Sequence, residues 1–206
     1  MAKLHFHYST MNAGKSTLLL QAAHNYAERG MCTLLLTAAL DDRAGVGMIA
    51  SRIGIGKQAE TFGAADDLFE RVSASASAAE APLACVFVDE AQFLSERQVW
   101  QLARVVDQLG IPVMAYGLRT DFLGKLFDGS AALLAMADEL REVRTVCHCG
   151  AKATMVVRLD GEGNVAREGD QVAIGGNERY LSLCRRHWRE RMDAAGGQGM
   201  LFGKHG

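Results

Sequence analysis

The sequence predicts an α/β protein, in which a mainly parallel sheet is covered by helices on both faces, followed by a small lobe of different character. Strand-like and helix-like runs alternate over the first two thirds of the 206-residue chain, a pattern typical of parallel sheets. From Cys147 onwards, short strands, glycines and close pairs of cysteine and histidine replace this alternation. We therefore predict an α/β domain over residues 1–146, a C-terminal lobe over 147–192 and a disordered tail over 193–206.

The elements of the first domain follow from local signals. Apolar runs predict strands at Leu4–Tyr8, Cys32–Thr37, Leu83–Val88, Ile111–Tyr116 and near Leu140–Val146. Helices are predicted at Thr17–Arg29, Ala64–Ala79, Ser95–Leu109 and near Ala131–Ala137. Ser95 and Gln98 have the spacing of a capping box, and Gly110 follows the end of that helix. The run Asp41–Gly56 is rich in Gly, Asp and Arg, and is predicted to be a mobile loop.

The C-terminal lobe is built from smaller pieces. The pattern predicts, in order, a strand at Ala153–Leu159, a turn at Asp160–Asn164, a Gly-rich segment at Val165–Asn177, a strand at Tyr180–Leu183 and a basic helix at Arg185–Asp193. Two cysteine-containing groups bracket the predicted hairpin, an arrangement similar to a zinc ribbon.

Composition limits the classes of function. The net charge of −2 gives no basic field that would draw the protein onto nucleic acid or a membrane. No apolar run reaches the length of a membrane span, and Met1–Lys3 lead directly into the first strand without a signal-peptide core. We therefore expect a cytoplasmic protein. In that reducing compartment, the 5 cysteines should be free thiols or metal ligands.

The most informative motif is a phosphate-binding loop between the first strand and the first helix. It consists of Ser9, Thr10, Met11, Asn12, Ala13, Gly14, Lys15 and Ser16. Backbone N–H groups and the positive end of the helix dipole would contact the phosphates. Lys15 would reach the β- and γ-phosphates of a nucleotide, and the Ser16 hydroxyl would contact Mg²⁺. Ser9 stands where the usual pattern has its first glycine.

A second part of the nucleotide site follows the strand Leu83–Val88. Asp89 comes directly after the strand, where such folds hold Mg²⁺ directly or through water. Glu90 lies at the carboxyl end of the strand and could accept a proton from an attacking hydroxyl or water. A second Mg²⁺ ligand and a plain acidic turn are alternative interpretations of Glu90.

The lobe carries a candidate metal site. Three thiols and one imidazole suit tetrahedral structural Zn²⁺, namely Cys147, Cys149, Cys184 and His187. His148 could replace one cysteine as a ligand, and a set of ordinary thiols in a packed lobe is the alternative. Cys32 and Cys85 lie in predicted buried strands and are interpreted as core residues.

Four stretches in fixed order carry a family resemblance. They are Met11–Ser16, Asp89–Phe93, Tyr116–Phe122 and Gly175–Tyr180. With them, the chain closely resembles a bacterial type II thymidine kinase from about Leu4 to Trp188. The resemblance implies ATP-dependent phosphorylation of the 5′-hydroxyl of thymidine, with deoxyuridine as a further substrate. It also implies a recombinase-like P-loop core, a zinc lobe, a homotetramer and feedback inhibition by dTTP.

The resemblance also implies roles for individual residues. Glu90 matches the catalytic base, Asp89 a water-mediated Mg²⁺ contact, and Gln92 and Arg43 further positions of the nucleotide site. Pocket positions around the nucleoside match Met11, Phe93, Leu118, Phe122, Phe127 and Val156. Tyr180, with Gly175 and Gly176, matches a flexible "lasso" segment that closes over the nucleoside. The zinc ligands match Cys147, Cys149, Cys184 and His187.

Two other classes of function compete with this one. A P-loop ATPase could bind nucleic acid through the zinc lobe and its four arginines, Arg185, Arg186, Arg189 and Arg191. The net charge of −2 and the lack of an aromatic stacking platform argue against that function. A purely structural zinc protein with a degenerate loop is the third possibility. The complete set of Lys15, Ser16, Asp89 and Glu90 argues against it.

Overall fold

A computed structural model describes residues 1–40, 45–171 and 179–195. The chain divides into two compact units. The first, here called the sheet unit, comprises Met1–Ser9, Gly14–Arg119 and Leu126–Val143. The second, here called the lobe unit, comprises Thr10–Ala13, Thr120–Lys125 and the described part of Arg144–Gly206. Four residues of the phosphate-binding loop, Thr10–Ala13, thus group with the lobe unit.

The sheet unit is built on a parallel sheet. Its strands are β1 Leu4–Ser9, β2 Cys32–Ala38, β3 Met48–Ala50, β4 Gly56–Gln58, β5 Glu60–Phe62, β6 Leu83–Val88, β7 Val113–Leu118 and β8 Glu139–Glu142. In the described part of the chain, six of them form one sheet in the order β5-β2-β6-β7-β1-β8. Every neighbouring pair in this sheet is parallel. The predicted α/β class with a mainly parallel sheet is confirmed.

In the described residues of this unit, four α-helices accompany the sheet. They are α1 Lys15–Glu28, α2 Leu68–Ala78, α3 Glu96–Arg104, which continues as a π-helical turn Val105–Leu109, and α4 Asp128–Met136. The predicted capping box is confirmed, because the Ser95 hydroxyl accepts from the Gln98 N–H and the Gln98 side chain accepts from the Ser95 N–H. The helix predicted from Ala64 begins only at Leu68, because the Asp67 side chain caps it there.

Alternate residues of the central strands are buried on opposite faces of the sheet. On β6, Val86 and Val88 belong to one apolar cluster, which also contains residues of α2, α3 and α4. Cys85 and Phe87 belong to another, with Leu19, Leu20 and Ala23 of α1. Burial on both faces explains why this strand is a continuous apolar run. The same packing holds the carboxyl end of β6 in place, directly before Asp89.

The prediction of a loop over Asp41–Gly56 is wrong at Met48–Ala50 and at Gly56, which lie in strands, whereas residues 45–47 and 51–55 belong to neither a strand nor a helix. Strands β3 and β4 form an antiparallel hairpin that pairs Met48 with Gln58. The next strand, β5, then joins the edge of the parallel sheet by pairing with β2. Each of these strands has three residues, which is too short for a recognisable alternation of apolar and polar positions.

The lobe unit contains two small antiparallel ladders and a helix. Its elements are β9 Thr145–Val146, β10 Lys152–Ala153, β11 Met155–Arg158, β12 Tyr180–Leu183 and α5 Arg185–Ala194. β9 pairs with β10, and β11 pairs with β12. The predicted strand near Leu140–Val146 is two separate strands, β8 and β9. Trp188, Leu183 and Val157 lie in the apolar cluster at the centre of this unit.

None of the helices in the described ranges is both long enough and apolar enough to cross a membrane.

Candidate active site and metal centre

The strand and the helix that flank the predicted phosphate-binding motif are both present in the structure. β1 ends at Ser9, and α1 begins at Lys15 after Gly14, whose φ of 86° is in the left-handed region. Glycine adopts this conformation without the steric cost that a Cβ imposes. Five residues, numbers 10–14, separate β1 from α1, and backbone N–H groups at the amino end of such a helix are a potential anion site.

Ser9 has a structural role at the position where the usual motif has glycine. Lys15 is only 9% exposed, and its ammonium group donates a hydrogen bond of 3.1 Å to the Ser9 hydroxyl. A buried ammonium group requires such acceptors. The serine thus supplies a partner for the lysine that glycine could not provide.

Ser16 and Asp89 meet at the ends of α1 and β6. The Ser16 hydroxyl donates to Oδ2 of Asp89 at 3.0 Å. Oδ1 of Asp89 is buried and has no hydrogen-bond partner among the described residues. Burial raises the pKa of Asp89, and the charge of Glu90 raises it further. A buried carboxylate oxygen without a partner, next to a hydroxyl group, fits a hard cation that prefers oxygen ligands.

Glu90 adopts a rare backbone conformation. Its φ of 51° and ψ of 39° are in the left-handed region, which is uncommon for non-glycine residues and enriched at functional sites. The residue immediately precedes a 3-10 turn, Ala91–Phe93. Its carboxylate accepts a 2.5 Å hydrogen bond from Nε2 of Gln92. The structure therefore brings Asp89, Glu90 and Gln92 together at the carboxyl end of β6.

Three of the expected nucleoside residues lie in the sheet unit. The rings of Phe93 and Phe127 meet edge to face, with centroids 6.2 Å apart. Leu118 is the last residue of β7, and both its backbone N–H and its carbonyl form hydrogen bonds to side chains. The Leu118 N–H donates to Oε1 of Gln92 at 2.9 Å, and its carbonyl accepts from the Ser130 hydroxyl at 2.5 Å.

Met11 and Tyr180 are expected nucleoside residues that lie in the lobe unit, and the backbone carbonyl of each accepts a hydrogen bond. The Ser182 hydroxyl donates to the Met11 carbonyl at 2.6 Å. Asn12 donates from its side chain to the Tyr180 carbonyl at 3.4 Å. Thr10 donates to the Met155 carbonyl at 3.1 Å. The loop residues Thr10–Asn12 are thus bonded to both strands of the β11–β12 ladder.

Trp188 bonds to two further expected nucleoside residues of the lobe unit, Phe122 and Val156. Its indole N–H is within 3.1 Å of both the Phe122 and the Val156 carbonyls. The side chains of Phe122 and Val156 are buried, and the guanidinium of Arg158 lies 3.9 Å from the Phe122 ring centroid. The two hydrogen bonds from Trp188 hold the backbone carbonyls of Phe122 and Val156 in place.

Trp188, Ser182 and Arg158 were not predicted as part of this network from the sequence. A tryptophan four residues after Cys184 in an otherwise basic helix was the available signal, because a buried indole N–H needs an acceptor. Ser182 and Arg158 gave no comparable signal in the sequence.

The candidate metal ligands converge in the lobe unit. One ligand atom from each of Cys147, Cys149, Cys184 and His187 lies within 4.8 Å of the other three. Nδ1 of His187 is 3.3 Å from the Cys147 sulfur and 3.4 Å from the Cys184 sulfur. This donor set could bind a metal ion.

The surroundings of the cluster favour the thiolate form of Cys147. Burial alone would raise the pKa of this thiol. Backbone N–H groups of Cys149 and Cys184, together with His187, outweigh burial and lower the pKa to about 5. Thiolates are the form in which cysteine binds metals. On its other side, Nε2 of the His187 ring lies 3.1 Å from Nη2 of Arg186 and 3.8 Å from a carboxylate oxygen of Glu190.

Three predicted site residues, Arg43, Gly175 and Gly176, lie outside the described residues. Of the lasso segment, the structure describes residues up to Gln171 and again from Arg179.

A phosphate-binding loop with Lys15 and Ser16, and acidic residues at the end of a parallel strand, together define the class of nucleotide-binding P-loop α/β proteins. Comparison with known proteins identifies the family. The thymidine kinase family model matches residues 2–188, and the chain belongs to this family.

Curated relatives support the same assignment over nearly the whole chain. A thymidine kinase of Rhizobium meliloti (strain 1021) is 70% identical over 93% of this chain and 98% of its own length. A thymidine kinase of Ruegeria pomeroyi is 66% identical over 97% of this chain and 100% of its own. That of Agrobacterium fabrum is 65% identical over 95% and 100%, respectively.

Proposed function

We propose that this protein transfers the γ-phosphoryl group of ATP to the 5′-hydroxyl of thymidine, giving dTMP and ADP in nucleotide salvage. Deoxyuridine is proposed as a second substrate. The observation that carries the proposal is the combination of the Lys15–Ser9 and Ser16–Asp89 bonds with Glu90 next to Asp89. Membership of the thymidine kinase family supports thymidine as the acceptor of the phosphoryl group.

The phosphate-binding loop binds the nucleotide in this proposal. Backbone N–H groups of residues 9–16 and the Lys15 ammonium neutralise the phosphates, and phosphoryl transfer depends chiefly on such positioning and charge. Ser16 and the buried oxygen of Asp89 would hold Mg²⁺, which supplies further positive charge beside the phosphates. Gln92 and Arg43 complete the proposed nucleotide site.

Glu90 acts as the general base. Its carboxylate takes the proton of the 5′-hydroxyl while the oxygen forms a bond to the γ-phosphorus. The bond between that phosphorus and the β–γ bridging oxygen breaks, and ADP leaves with the electron pair. Glu90 is half-buried, whereas Asp89 is buried and already bonded to Ser16. This difference supports Glu90, rather than Asp89, as the group that reaches the acceptor.

The nucleoside pocket is proposed to consist of aromatic and aliphatic side chains. They are Met11, Phe93, Leu118, Phe122, Phe127 and Val156. Such a lining suits a flat pyrimidine that carries a methyl group. The lasso, with Gly175, Gly176 and Tyr180, would cover the nucleoside and exclude water from the phosphoryl acceptor.

We propose that the metal of the lobe is structural Zn²⁺. In a tetrahedral site with Zn–S bonds of about 2.3 Å, sulfur atoms lie about 3.8 Å apart. The Cys149 and Cys184 sulfur atoms are 4.0 Å apart, which fits this geometry. Three thiolates and one imidazole leave no open coordination position for catalysis.

The remaining properties rest on the family. We propose a homotetramer that is inhibited by dTTP, with a kinase domain over residues 1–146, a zinc lobe over 147–192 and a tail over 193–206. We also propose a cytoplasmic location, in which the five cysteines, none of them in a disulfide, would be reduced thiols or metal ligands.

A comparison of activators tests the function against its alternative. Purified protein is incubated with Mg²⁺–ATP and either thymidine, single-stranded DNA or neither, and ADP is measured. A thymidine kinase releases ADP only when the nucleoside is present. ADP release that depends on single-stranded DNA, and not on thymidine, would instead support a nucleic-acid-binding ATPase.

A further inference from the structure

We propose that Gln92 is a positioning residue, which acts by fixing the carboxylate of Glu90. This inference rests on the proposed role of Glu90 as the base. The Gln92 side chain is only 3% exposed and lies between two groups of the sheet unit. Its Nε2 donates to Oε2 of Glu90 at 2.5 Å, and its Oε1 accepts from the Leu118 N–H at 2.9 Å.

The two partners leave only one orientation for the amide. A backbone N–H can only donate, so the atom of Gln92 next to Leu118 must be the oxygen. An ionised carboxylate can only accept, so the atom next to Glu90 must be the nitrogen. The bond to the end of β7 therefore aims the amide nitrogen at the carboxylate of the base.

The backbone around Glu90 shows why such a connection is needed. A non-glycine residue in the left-handed region costs about 1–3 kcal/mol and persists only where its surroundings enforce it. The Glu90 carbonyl accepts from the Phe93 N–H at 3.0 Å, which closes the 3-10 turn. The Gln92 side chain is then a second tie, from the turn to β7.

Two glycines allow the turn to approach its neighbours closely. A Cβ on Gly117 would lie 2.9 Å from the Gln92 backbone nitrogen and 3.1 Å from its Oε1. A Cβ on Gly129 would lie 2.5 Å from the Leu94 carbonyl oxygen and 2.7 Å from that of Ala91. The 3-10 turn thus packs directly against β7 and α4. A residue with a Cβ at position 117 or 129 would fit only if the neighbouring backbone shifted.

Both ends of the Gln92 contact belong to groups with proposed roles. Leu118 is an expected nucleoside contact, and its carbonyl is held by Ser130. The amide therefore joins the strand end proposed to contact the nucleoside to the carboxylate proposed to take its proton. Misplacing a reacting group by about 1 Å can cost about 100-fold in rate, so this connection is expected to affect kcat more than substrate binding.

A double-mutant cycle in kcat tests the proposal. The variants are Gln92→Met, Glu90→Gln and the two combined. Gln92→Met should lower kcat roughly 10- to 100-fold, a larger factor than the change in the KM for thymidine. In the Glu90→Gln background, the same substitution should have almost no further effect, because the group that it positions is already inactive.

Gln101 offers a matched control. It is a buried glutamine of α3 whose Oε1 accepts from the Leu68 N–H at 3.0 Å. Gln101→Met removes the same kind of acceptor, and we expect both it and Gln92→Met to lower Tm, but Gln101→Met should leave kcat unchanged. Gln92→Glu keeps an acceptor for the Leu118 N–H and loses the donor to Glu90, so its kcat should fall as well.

The outcomes distinguish the positioning role of Gln92 from the proposed role of Glu90 as the base. If Gln92→Met lowers kcat by the same factor in the wild-type background and in the Glu90→Gln background, or if Gln92→Glu retains wild-type kcat, the positioning role is overturned. If Glu90→Gln itself retains normal kcat, the assignment of the base fails and the positioning role fails with it. An unchanged kcat in Gln92→Met alone overturns only the positioning role.

Discussion

The Ser16 hydroxyl and the Asp89 carboxylate are joined by a 3.0 Å hydrogen bond, which uses only one of the two carboxylate oxygens. The other oxygen is buried without a partner in the described part of the chain. Burying an anionic group in this way opposes folding unless a cation compensates for it. The pair therefore represents a local cost in stability that the bound nucleotide complex is expected to offset.

Asp89→Asn should stabilise the ligand-free protein and weaken Mg²⁺–ATP binding. Burial and the Glu90 charge raise the pKa of Asp89 from 3.8 to about 7. The folded state thus holds its proton to higher pH than the unfolded chain does, so the free energy of unfolding falls as pH rises between these values. Thermal unfolding in EDTA should show the Tm advantage of Asp89→Asn growing from pH 5 to pH 8. A constant difference in Tm would contradict this account.

Glu90→Gln should lower kcat about 10²- to 10⁴-fold, the usual contribution of a general base. The amide has a similar shape and can still accept from Gln92, so Tm and ATP affinity should stay close to those of the wild type. Glu96→Gln, at the exposed start of α3, removes the same charge outside the site and serves as the control. Near-normal turnover by Glu90→Gln would exclude Glu90 as the base.

Metal analysis of the purified protein should find about one Zn²⁺ per chain. Cys184→Ala should lose the metal and lower the stability of the lobe unit, because metal binding contributes directly to the folding of small lobes. Cys32→Ala, which removes a free thiol outside the cluster, should retain the metal. A metal-free wild-type preparation of full stability would refute the zinc assignment.

Gly129→Ala should destabilise the sheet unit by about 1–3 kcal/mol, the usual cost of overpacking. The added Cβ would meet three backbone oxygens, which cannot move aside as a flexible side chain can. Gly63→Ala is the control, because a Cβ there would meet nothing within 4 Å. Equal Tm values for the two variants would show that the 3-10 turn is not tightly packed against α4.

The sequence predicted the parts of the site that depend on local signals. The glycine before Lys15, the apolar run that ends at Asp89 and the close cysteines are all recognisable without tertiary contacts. The residues alone left three interpretations of Glu90 open, and the resemblance to a family selected the base, a role that remains a proposal. The phosphate-binding loop departs from its usual motif at Ser9, and only the structure shows that this hydroxyl is a partner for Lys15.

The parts that the sequence did not predict depend on tertiary contacts or on very short elements. The bond from Gln92 to Leu118 joins residues 26 positions apart, and no pattern along the chain indicates it. Trp188 likewise bonds to carbonyls 66 and 32 positions away. The three-residue strands β3, β4 and β5 were missed because turn-forming residues outweigh any periodicity in that region.

The central claim is that the γ-phosphoryl group of ATP is transferred to the 5′-oxygen of thymidine. It is tested most directly by mass spectrometry and ³¹P NMR of the products formed from Mg²⁺–ATP and thymidine, with 5′-deoxythymidine as the control acceptor. We predict dTMP and ADP in equal amounts from thymidine, and neither product from the analogue that lacks the 5′-hydroxyl. ADP with inorganic phosphate and no dTMP, or equal ADP release with both nucleosides, would contradict the account.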